Sequence, residues 1–324
     1  MGALLVALLP ALSGVEGLAQ DPPIRHTVTL IEENDFFAHI SASDKHYSQG
    51  LRLEHHVFDP AVGPIFTLRS LYDEGRLFSN GVAVGQAMYT PEDITADPSD
   101  PDDRPFAAWL YLSLMTTVTD PGRHWQDSWE WSIGTIGPHA KGDEIQSFWH
   151  RLIGADNPTW AGQLKNEIAG GFSWKRQWTS VAVGEEKTDW SPRTITSTGF
   201  TASTVLSELT VGAKVLWGYR APADFEAGQG SRSFQEGEGF RLYGFAGVEG
   251  RFVPWNVFLD GNVFRDSASV TRKYLTADFV LGVVLRLGQP FGISYEQVFR
   301  SGEITNDPAY HNFGSIALSV SFEF

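Results

Sequence analysis

Two polar residues at helical spacing, Gln146 and His150, could carry out chemistry together. They lie four positions apart in the stretch GDEIQSFWHRLIGADNP, so on a helix their side chains project from one face. A histidine held there could act as a general base, because imidazole accepts a proton near neutral pH. The chain contains 9 histidines, and most histidines only pack or face solvent. The spacing alone therefore leaves both interpretations open.

A second group begins a predicted strand, where His46 lies two residues before Ser48. Alternate residues of a strand share a face, so these two would point the same way as Gly50, Arg52, Glu54 and His56. The opposite face carries Tyr47, Leu51, Leu53 and Val57, which suits lipid. We therefore expect Ser48 to point inward. It is either a nucleophile beside its base or part of a hydrated strand face.

The third group is the pair Asn34 and Asp35 in the stretch IEENDFF, at the outer end of the first predicted strand. An Asn-Asp pair at the end of a strand is often only a turn. Carboxylate, amide and hydroxyl oxygens gathered at one rim are equally the ligands that Ca²⁺ prefers. Ser48, at the start of the second strand, would lie close to this pair across the first loop.

Strands are the elements that must position these groups, because apolar and polar residues alternate along much of the chain. The alternation is clear at residues 125–133, 275–287 and 316–324. The apolar face is the interior in a soluble sandwich, whereas it faces lipid in a membrane barrel. Long strands, aromatic residues near the strand ends and the terminal Phe324 favour lipid outside. The sequence therefore predicts an all-β fold, an antiparallel transmembrane β-barrel.

About twelve strands are predicted, an even number that places both termini in the periplasm. Their approximate ranges are 26–34, 47–58, 81–90, 107–119, 124–137, 164–178, 192–204, 206–218, 239–259, 273–287, 290–301 and 312–324. A short helix in the extracellular loop 138–163 interrupts the pattern, with Gly154 to end it and Pro158 to block its continuation. We expect this helix to hold His150 over the barrel mouth, near the active site.

The N-terminal segment MGALLVALLPALSGVEGLAQDPP predicts a secretory signal peptide over residues 1–19. It has a short apolar run and a small-x-small signal at Gly17-Leu18-Ala19, but no Lys or Arg precedes Arg25. A buried N-terminal helix is the alternative. Residues 20–324 then form a single barrel domain, with no later stretch near the roughly 18 apolar residues of a spanning helix.

The net charge and the composition of the chain limit which binding partners are expected. The formal net charge is -15 and the pI is about 5.0, so no nucleic acid is expected as a partner. An acidic surface instead suits divalent cations. The chain holds 11 Trp, 22 Phe, 9 Tyr and 33 Gly with 0 Cys, which is typical of a β-protein with aromatic girdles among outer-membrane lipids. A closed barrel has no free sheet edge, so we expect a monomer.

The stretch His46-Tyr47-Ser48-Gln49-Gly50 is similar to the His-x-Ser-Asn-Gly stretch of outer-membrane phospholipase A, where the serine is the nucleophile and the histidine its base. Gln49 replaces the Asn, and only five residues match. An outer-membrane phospholipase with a serine nucleophile is therefore one alternative. A non-enzymatic barrel, such as a porin, is another, although a simple pore has no need of the helix that carries His150.

Two stretches resemble the LpxR-type lipid A 3'-O-deacylases, a family of outer-membrane β-barrel acyl hydrolases. The first is ENDFF followed by Tyr47-Ser48-Gln49-Gly50-Leu51, similar to the family's Asn-Asp and Tyr-Thr/Ser-x-Gly-Leu pattern. The second runs from Gly134 to Glu167. It matches the family's Gly-x-Ile-Gly-Pro, Gln-x-x-x-His-Arg-x-Ile-Gly-Ala and Pro-x-Trp pattern in order and spacing. Looser similarity continues to the C-terminus.

The resemblance implies a Ca²⁺-dependent lipid A deacylase of the bacterial outer membrane, with its active site facing the outer leaflet. The substrate would be the 3'-O-linked acyloxyacyl ester of lipid A in lipopolysaccharide, and His150 would activate the attacking water. The positions that match the family's active site are Asn34, Asp35, Ser48, Gln146, His150 and Asp156. Asp35 and Asp156 are the expected carboxylates at the metal.

The sequence departs from the family at two positions and in one loop. Asp156 lies where the family has a glutamate, and His46 lies where it has an acidic or other polar residue. The dyad formed by His46 and Ser48 is therefore not the expected machinery, and Ser48 is better suited to orient a group than to attack. The loop 91–105 is acidic, with only Arg104 as a basic residue, where family members have basic residues that could meet lipid A phosphates.

Overall fold

The computed structural model describes most of the chain as one β-structure. The described residues are 24–37, 46–59, 71–72, 76–97, 99–120, 122–180, 190, 192–221, 239–288, 290–305 and 310–323. The predicted signal peptide and Phe324 lie outside these ranges. Among the described residues, no helix is both long enough and apolar enough to cross a membrane.

Twelve antiparallel strands in the described part of the chain form a closed barrel, in which each strand pairs with its sequence neighbours and β1 pairs with β12. They are β1 Arg25–Asn34, β2 His46–Phe58, β3 Leu77–Thr90, β4 Ala107–Asp120, β5 Trp125–Ile136, β6 Glu167–Thr179, β7 Arg193–Ser203, β8 Leu206–Tyr219, β9 Phe240–Asn256, β10 Leu275–Leu287, β11 Phe291–Arg300 and β12 His311–Glu323. The predicted fold class and strand number are confirmed.

Within the described ranges, two short α-helices lie at one end of the barrel, which we call the helix end. Helix α1 spans Gly142–Ile153 between β5 and β6, and α2 spans Val257–Asp260 between β9 and β10. The predicted strand 239–259 ends earlier than expected, because the Asn256 side chain accepts a hydrogen bond from the Phe258 backbone N–H at 3.1 Å and begins α2. β1 starts and β12 ends at the opposite, terminal end.

The seam between β1 and β12 closes the barrel over the full length of β1. Its register runs from Arg25 opposite Glu323 to Asn34 opposite Gly314. Arg25 and Glu323 also form an ion pair at 2.8 Å. The closed ladder leaves neither strand as a free edge.

The barrel is apolar outside and polar inside, as the strand lengths and the aromatic residues near the strand ends predict. Outward-facing residues such as Leu112 and Ile133 are 62% and 63% exposed. The interior holds ion pairs that cross it, including Arg52 with Glu130 at 2.8 Å and Lys175 with Glu249 at 2.5 Å. A cavity of about 500 Å³ lies among these polar groups. This is the inverted arrangement of a barrel whose solvent is lipid.

Candidate active site

Helix α1 packs against the outer face of the barrel wall. In β4, Leu110 and Leu112 are exposed on the outer surface, so Ala108 points the same way. In β3, the exposed Val84 likewise places Met88 on the outer face. Both Ala108 and Met88 are nevertheless buried, because they join Phe106, Ala140 and Trp160 in one apolar cluster. The segment that carries α1 therefore covers this part of the wall.

Glycine at the start of α1 permits this close approach. A Cβ atom on Gly142 would lie 2.2 Å from Cη2 of Trp160 and 2.7 Å from Cβ of Ala108. Lys141 precedes the helix in the left-handed conformation, at φ 62°. The helix ends at Gly154, φ 75°, as predicted from the sequence. α1 is therefore fixed in position at its start by packing and stopped at its end by a glycine cap.

Gln146 and His150 share the face of α1 that points at the wall, and both are buried. The Trp160 indole Nε1 donates a hydrogen bond to Oε1 of Gln146 at 2.9 Å. Nδ1 of His150 is hydrogen-bonded to the backbone carbonyl of Asp156. A carbonyl only accepts, so Nδ1 carries the proton and the lone pair of the neutral ring is on Nε2. This is the tautomer that a general base requires.

Ser48 lies on the outer face of the wall, so the prediction that it points inward is wrong. The register of β2 against β3 shifts between Tyr47 and Gln49, which is a β-bulge that contains Ser48. The Ser48 hydroxyl is 2.5 Å from the hydroxyl of Thr90, which lies on the same outer face as Met88. The extra residue in the bulge shifts the alternation by one position.

The same bulge turns Tyr47 inward, although the alternation predicted that it faces lipid. Its hydroxyl donates a hydrogen bond to the carboxylate of Glu33. Its ring packs edge-on against Phe313, with 4.8 Å between the ring centroids. Tyr47 therefore belongs to the packing of the barrel interior, whereas Ser48 belongs to the outer surface near α1.

Asn34 and Asp35 lie beside the bulge, at the helix end of β1. Asn34 pairs with Gln49 across the ladder. Its Oδ1 accepts a hydrogen bond from the Phe36 backbone N–H at 2.8 Å, so the side chain also forms the turn that the sequence suggested. Asp35 begins a 3-10 turn, Asp35–Phe37, and is only 2% exposed. The structure therefore brings Asn34, Asp35 and Ser48 to adjoining strand ends.

Asp156 follows α1, and its side chain is exposed while its backbone carbonyl binds His150. Two further residues, Thr90 and Trp160, hold the predicted site residues in place but were not among them. The sequence could have identified Trp160, since it is the aromatic residue of the Pro-x-Trp pattern. It could not have identified Thr90, because the contact of Thr90 with Ser48 depends on the bulge.

Arg104, the basic residue of the loop between β3 and β4, is fully buried and points away from solvent. Its Nη2 forms an ion pair with Glu303 at 3.0 Å, and its guanidinium lies over the Tyr89 ring. Burial raises the pKa of Glu303, but Arg104 and Arg300 outweigh burial and hold that pKa well below its usual value. Arg104 is therefore buried in an ion pair and is not exposed on the surface of this loop.

A closed barrel that is apolar outside and polar inside, with a loop helix held on its wall, defines the class of outer-membrane β-barrel proteins. A family model described as "Outer membrane protein LpxR" matches residues 3–322, nearly the whole chain. This protein therefore belongs to the LpxR family, as the two sequence stretches predicted.

One solved structure agrees in fold with this chain, and a second is much less similar. LpxR from Salmonella typhimurium superposes with a TM-score of 0.73 at 19% identity, covering 91% of this chain and 99% of that chain. The translocator domain of the autotransporter NalP from Neisseria meningitidis gives a TM-score of 0.45 at 9% identity, covering 94% of this chain and 90% of that one. No curated protein matches this chain.

Proposed function

We propose that this protein is an outer-membrane lipid A deacylase, a carboxylic ester hydrolase that removes the 3'-O-linked acyloxyacyl group of lipid A. The observation that carries the proposal is His150, buried between α1 and the barrel wall with Nδ1 committed to the Asp156 carbonyl. Membership of the LpxR family supports the substrate class. The site would face the outer leaflet, and the barrel would act as a monomer.

In this proposal His150 is the general base. Its Nε2 takes a proton from water while the water oxygen attacks the carbonyl carbon of the ester. The tetrahedral intermediate collapses by breaking the bond to the sugar oxygen, and His150 returns the proton to that leaving oxygen. Water is consumed, a fatty acid and a free sugar hydroxyl are formed, and no acyl-enzyme is required. The Asp156 carbonyl stabilises the protonated ring.

The remaining site residues position this base and the substrate. Trp160 holds Gln146 through its indole N–H, which fixes the face of α1 next to His150. The hydroxyl of Ser48, held by Thr90, and the side chain of Asn34 lie on the same outer wall surface. We assign Ser48 and Asn34 to orienting the ester and the water, because Ser48 lies in the bulge and Asn34 pairs with Gln49 beside it.

The oxygen donors at the end of β1 fit a bound Ca²⁺ ion. Asp35 offers a buried carboxylate and Asn34 an amide oxygen, which are ligands that a hard cation prefers. Among the described residues no group of three or more His, Cys, Asp or Glu could hold a metal, so carbonyls, hydroxyls and water would complete the shell. When bound, calcium would polarise the ester carbonyl. Asp156, with its exposed carboxylate, is the weaker candidate ligand.

Lipid A from cells that produce each variant tests the reaction. Wild-type protein should shift the mass of lipid A by the loss of one acyloxyacyl group. His150→Ala should leave lipid A unchanged while the barrel still folds. His139→Ala, at an exposed histidine just before α1, is the matched control and should act like the wild type. A folded His150→Ala variant that deacylates fully would contradict the assigned base.

Calcium binding can be measured without turnover. Isothermal titration calorimetry of the purified barrel should show one calcium-binding event that Asp35→Asn weakens strongly and Asp156→Asn weakens less. Equal binding by the wild type and Asp35→Asn would move the proposed ion away from the end of β1.

A further inference from the structure

Helix α1 presents three different faces. The first, formed by Gly142, Gln146 and His150, is buried against the wall, although two of these three side chains are polar. The second carries the large apolar residues, and the third carries the charged ones. In a soluble protein the large apolar face would be the buried one. α1 therefore buries a polar face and leaves its apolar face uncovered.

The uncovered apolar face is large and continuous. Phe148 is 58% exposed, Trp149 47%, Leu152 63% and Ile153 69%. Trp149 and Ile153 are one helical turn apart, and Phe148 and Leu152 repeat that spacing beside them, so the four side chains form one patch. A patch of this kind marks a surface that meets a protein or a membrane.

The third face of α1 carries polar and charged side chains, which suit contact with water. Ser147 donates a hydrogen bond to Asp143 at 3.0 Å, and Arg151 continues this row one turn later. Lys141 and Glu144 form an exposed ion pair at 2.7 Å at the start of the helix. Apolar and charged surfaces on opposite flanks are typical of a helix that lies in the plane of a membrane interface.

The height of α1 on the wall agrees with such an interface. The residue beneath it, Ala108, is about five residues from the middle of β4, Ala107–Asp120. A rise of about 3.3 Å per residue and a tilt of about 40° put this contact about 13 Å from the middle of the strand. The apolar band of such barrels is about 25 Å tall, so α1 lies at its edge.

We propose that the apolar face of α1 is immersed among the acyl chains of the leaflet that surrounds the barrel. The face is continuous with the lipid-facing wall, because Ala108 under α1 lies on the same strand face as the exposed Leu110 and Leu112. The charged flank then lies among head groups and water. The contact between α1 and the wall then faces sideways into the leaflet.

Immersion of α1 would let the substrate reach the site within the membrane, an inference that rests on the proposed function. The ester of a membrane lipid lies near the boundary between head groups and acyl chains, which is the level of α1. A lipid could then reach His150 by moving laterally within its leaflet, without leaving the membrane. The patch of Phe148, Trp149, Leu152 and Ile153 would receive acyl chains of the substrate and of its neighbours alike.

Site-directed labelling tests the immersion without any need for activity. The chain has 0 Cys, so each single-cysteine variant carries one probe. We would place an environment-sensitive fluorophore at Leu152→Cys, at Leu112→Cys on the barrel belt, and at Arg151→Cys on the charged flank. The full barrel is reconstituted in phosphatidylcholine vesicles, with or without bromine in the acyl chains.

The label at Leu152 should show a blue-shifted emission and quenching by brominated chains comparable to those of the Leu112 label, while the Arg151 label should show neither. A Leu152 label that behaves like the Arg151 label would overturn the proposal. So would a blue-shifted Leu152 label that brominated chains do not quench, because a second copy of the chain would then cover the patch.

A second comparison tests the route of the substrate. Leu152→Glu should lower the rate of lipid A hydrolysis several-fold in vesicles, and less in detergent micelles, while Arg151→Glu should change neither rate. Equal loss in vesicles and micelles would contradict lateral entry. If the wild type hydrolyses no lipid A in either system, the proposed function fails, whereas the labelling result still decides where α1 lies.

Discussion

Replacing Gly142 with alanine should separate the position of α1 from the stability of the barrel. Gly142 is the residue at which α1 touches both the wall and Trp160. Alanine is a better helix former than glycine, so helix propensity alone predicts a gain of about 1 kcal/mol. The contacts predict the opposite, because the new methyl group has no room.

The distances set the size of the effect. A Cβ at residue 142 would lie 2.2 Å from the Trp160 ring and 2.7 Å from Cβ of Ala108. Normal contacts between carbon atoms begin at about 3.5 Å, so the contact with Trp160 would be more than about 1 Å too short. Trp160 is buried and held by Gln146, so α1 must move instead. Overpacking of this kind costs about 1–3 kcal/mol, and a misplacement of about 1 Å costs about 100-fold in rate.

Thermal unfolding and lipid A hydrolysis should be measured together on purified protein in vesicles. Gly142→Ala should lose about 100-fold in rate while the barrel still folds, with only a modest loss of stability. Gly250→Ala is the matched control, since its Cβ would meet only Val211, at 3.9 Å. Wild-type activity and stability in Gly142→Ala would refute the close packing of α1 on the wall.

Two further predictions concern a buried ion pair and the serine. Glu303→Gln leaves Arg104 buried without its partner and should destabilise the barrel by about 3–5 kcal/mol in thermal unfolding, whereas Glu144→Gln, at an exposed pair, should not. Because the folded pKa of Glu303 is lowered, its contribution is present above its ordinary pKa of about 4.5 and is lost only in stronger acid. Ser48→Ala should keep measurable hydrolysis, and a fluorophosphonate should not label Ser48; labelling of active protein would favour the phospholipase alternative.

The barrel could be predicted from the sequence because its signals are local and repeated. Alternation identified all twelve strands, and the helical spacing of Ile145, Trp149 and Leu152, with Gly154 and Pro158 after them, predicted α1. The two-residue alternation of apolar and polar side chains could not by itself distinguish a soluble sandwich from a membrane barrel. Strand length, aromatic residues and the resemblance to a family made that decision.

The site was harder to predict, because its geometry depends on one irregularity. A bulge of a single residue sends Ser48 outward and Tyr47 inward, and strict alternation assigns both to the wrong face. The helical spacing showed which residues share a face of α1. It did not show that this face meets the outer wall and not the barrel mouth, since the wall position depends on the fit of Gly142 against Trp160 and Ala108.

The role of His150 is the central claim, and one rate comparison tests it most directly. Purified wild-type and His150→Ala barrels, shown to be folded, are incubated with vesicles that contain lipid A, in calcium or in a chelator, and the released acyloxyacyl group is measured by mass spectrometry. We predict release by the wild type in calcium and a loss of at least about 100-fold in the variant or in the chelator. Full release by folded His150→Ala protein would contradict the account.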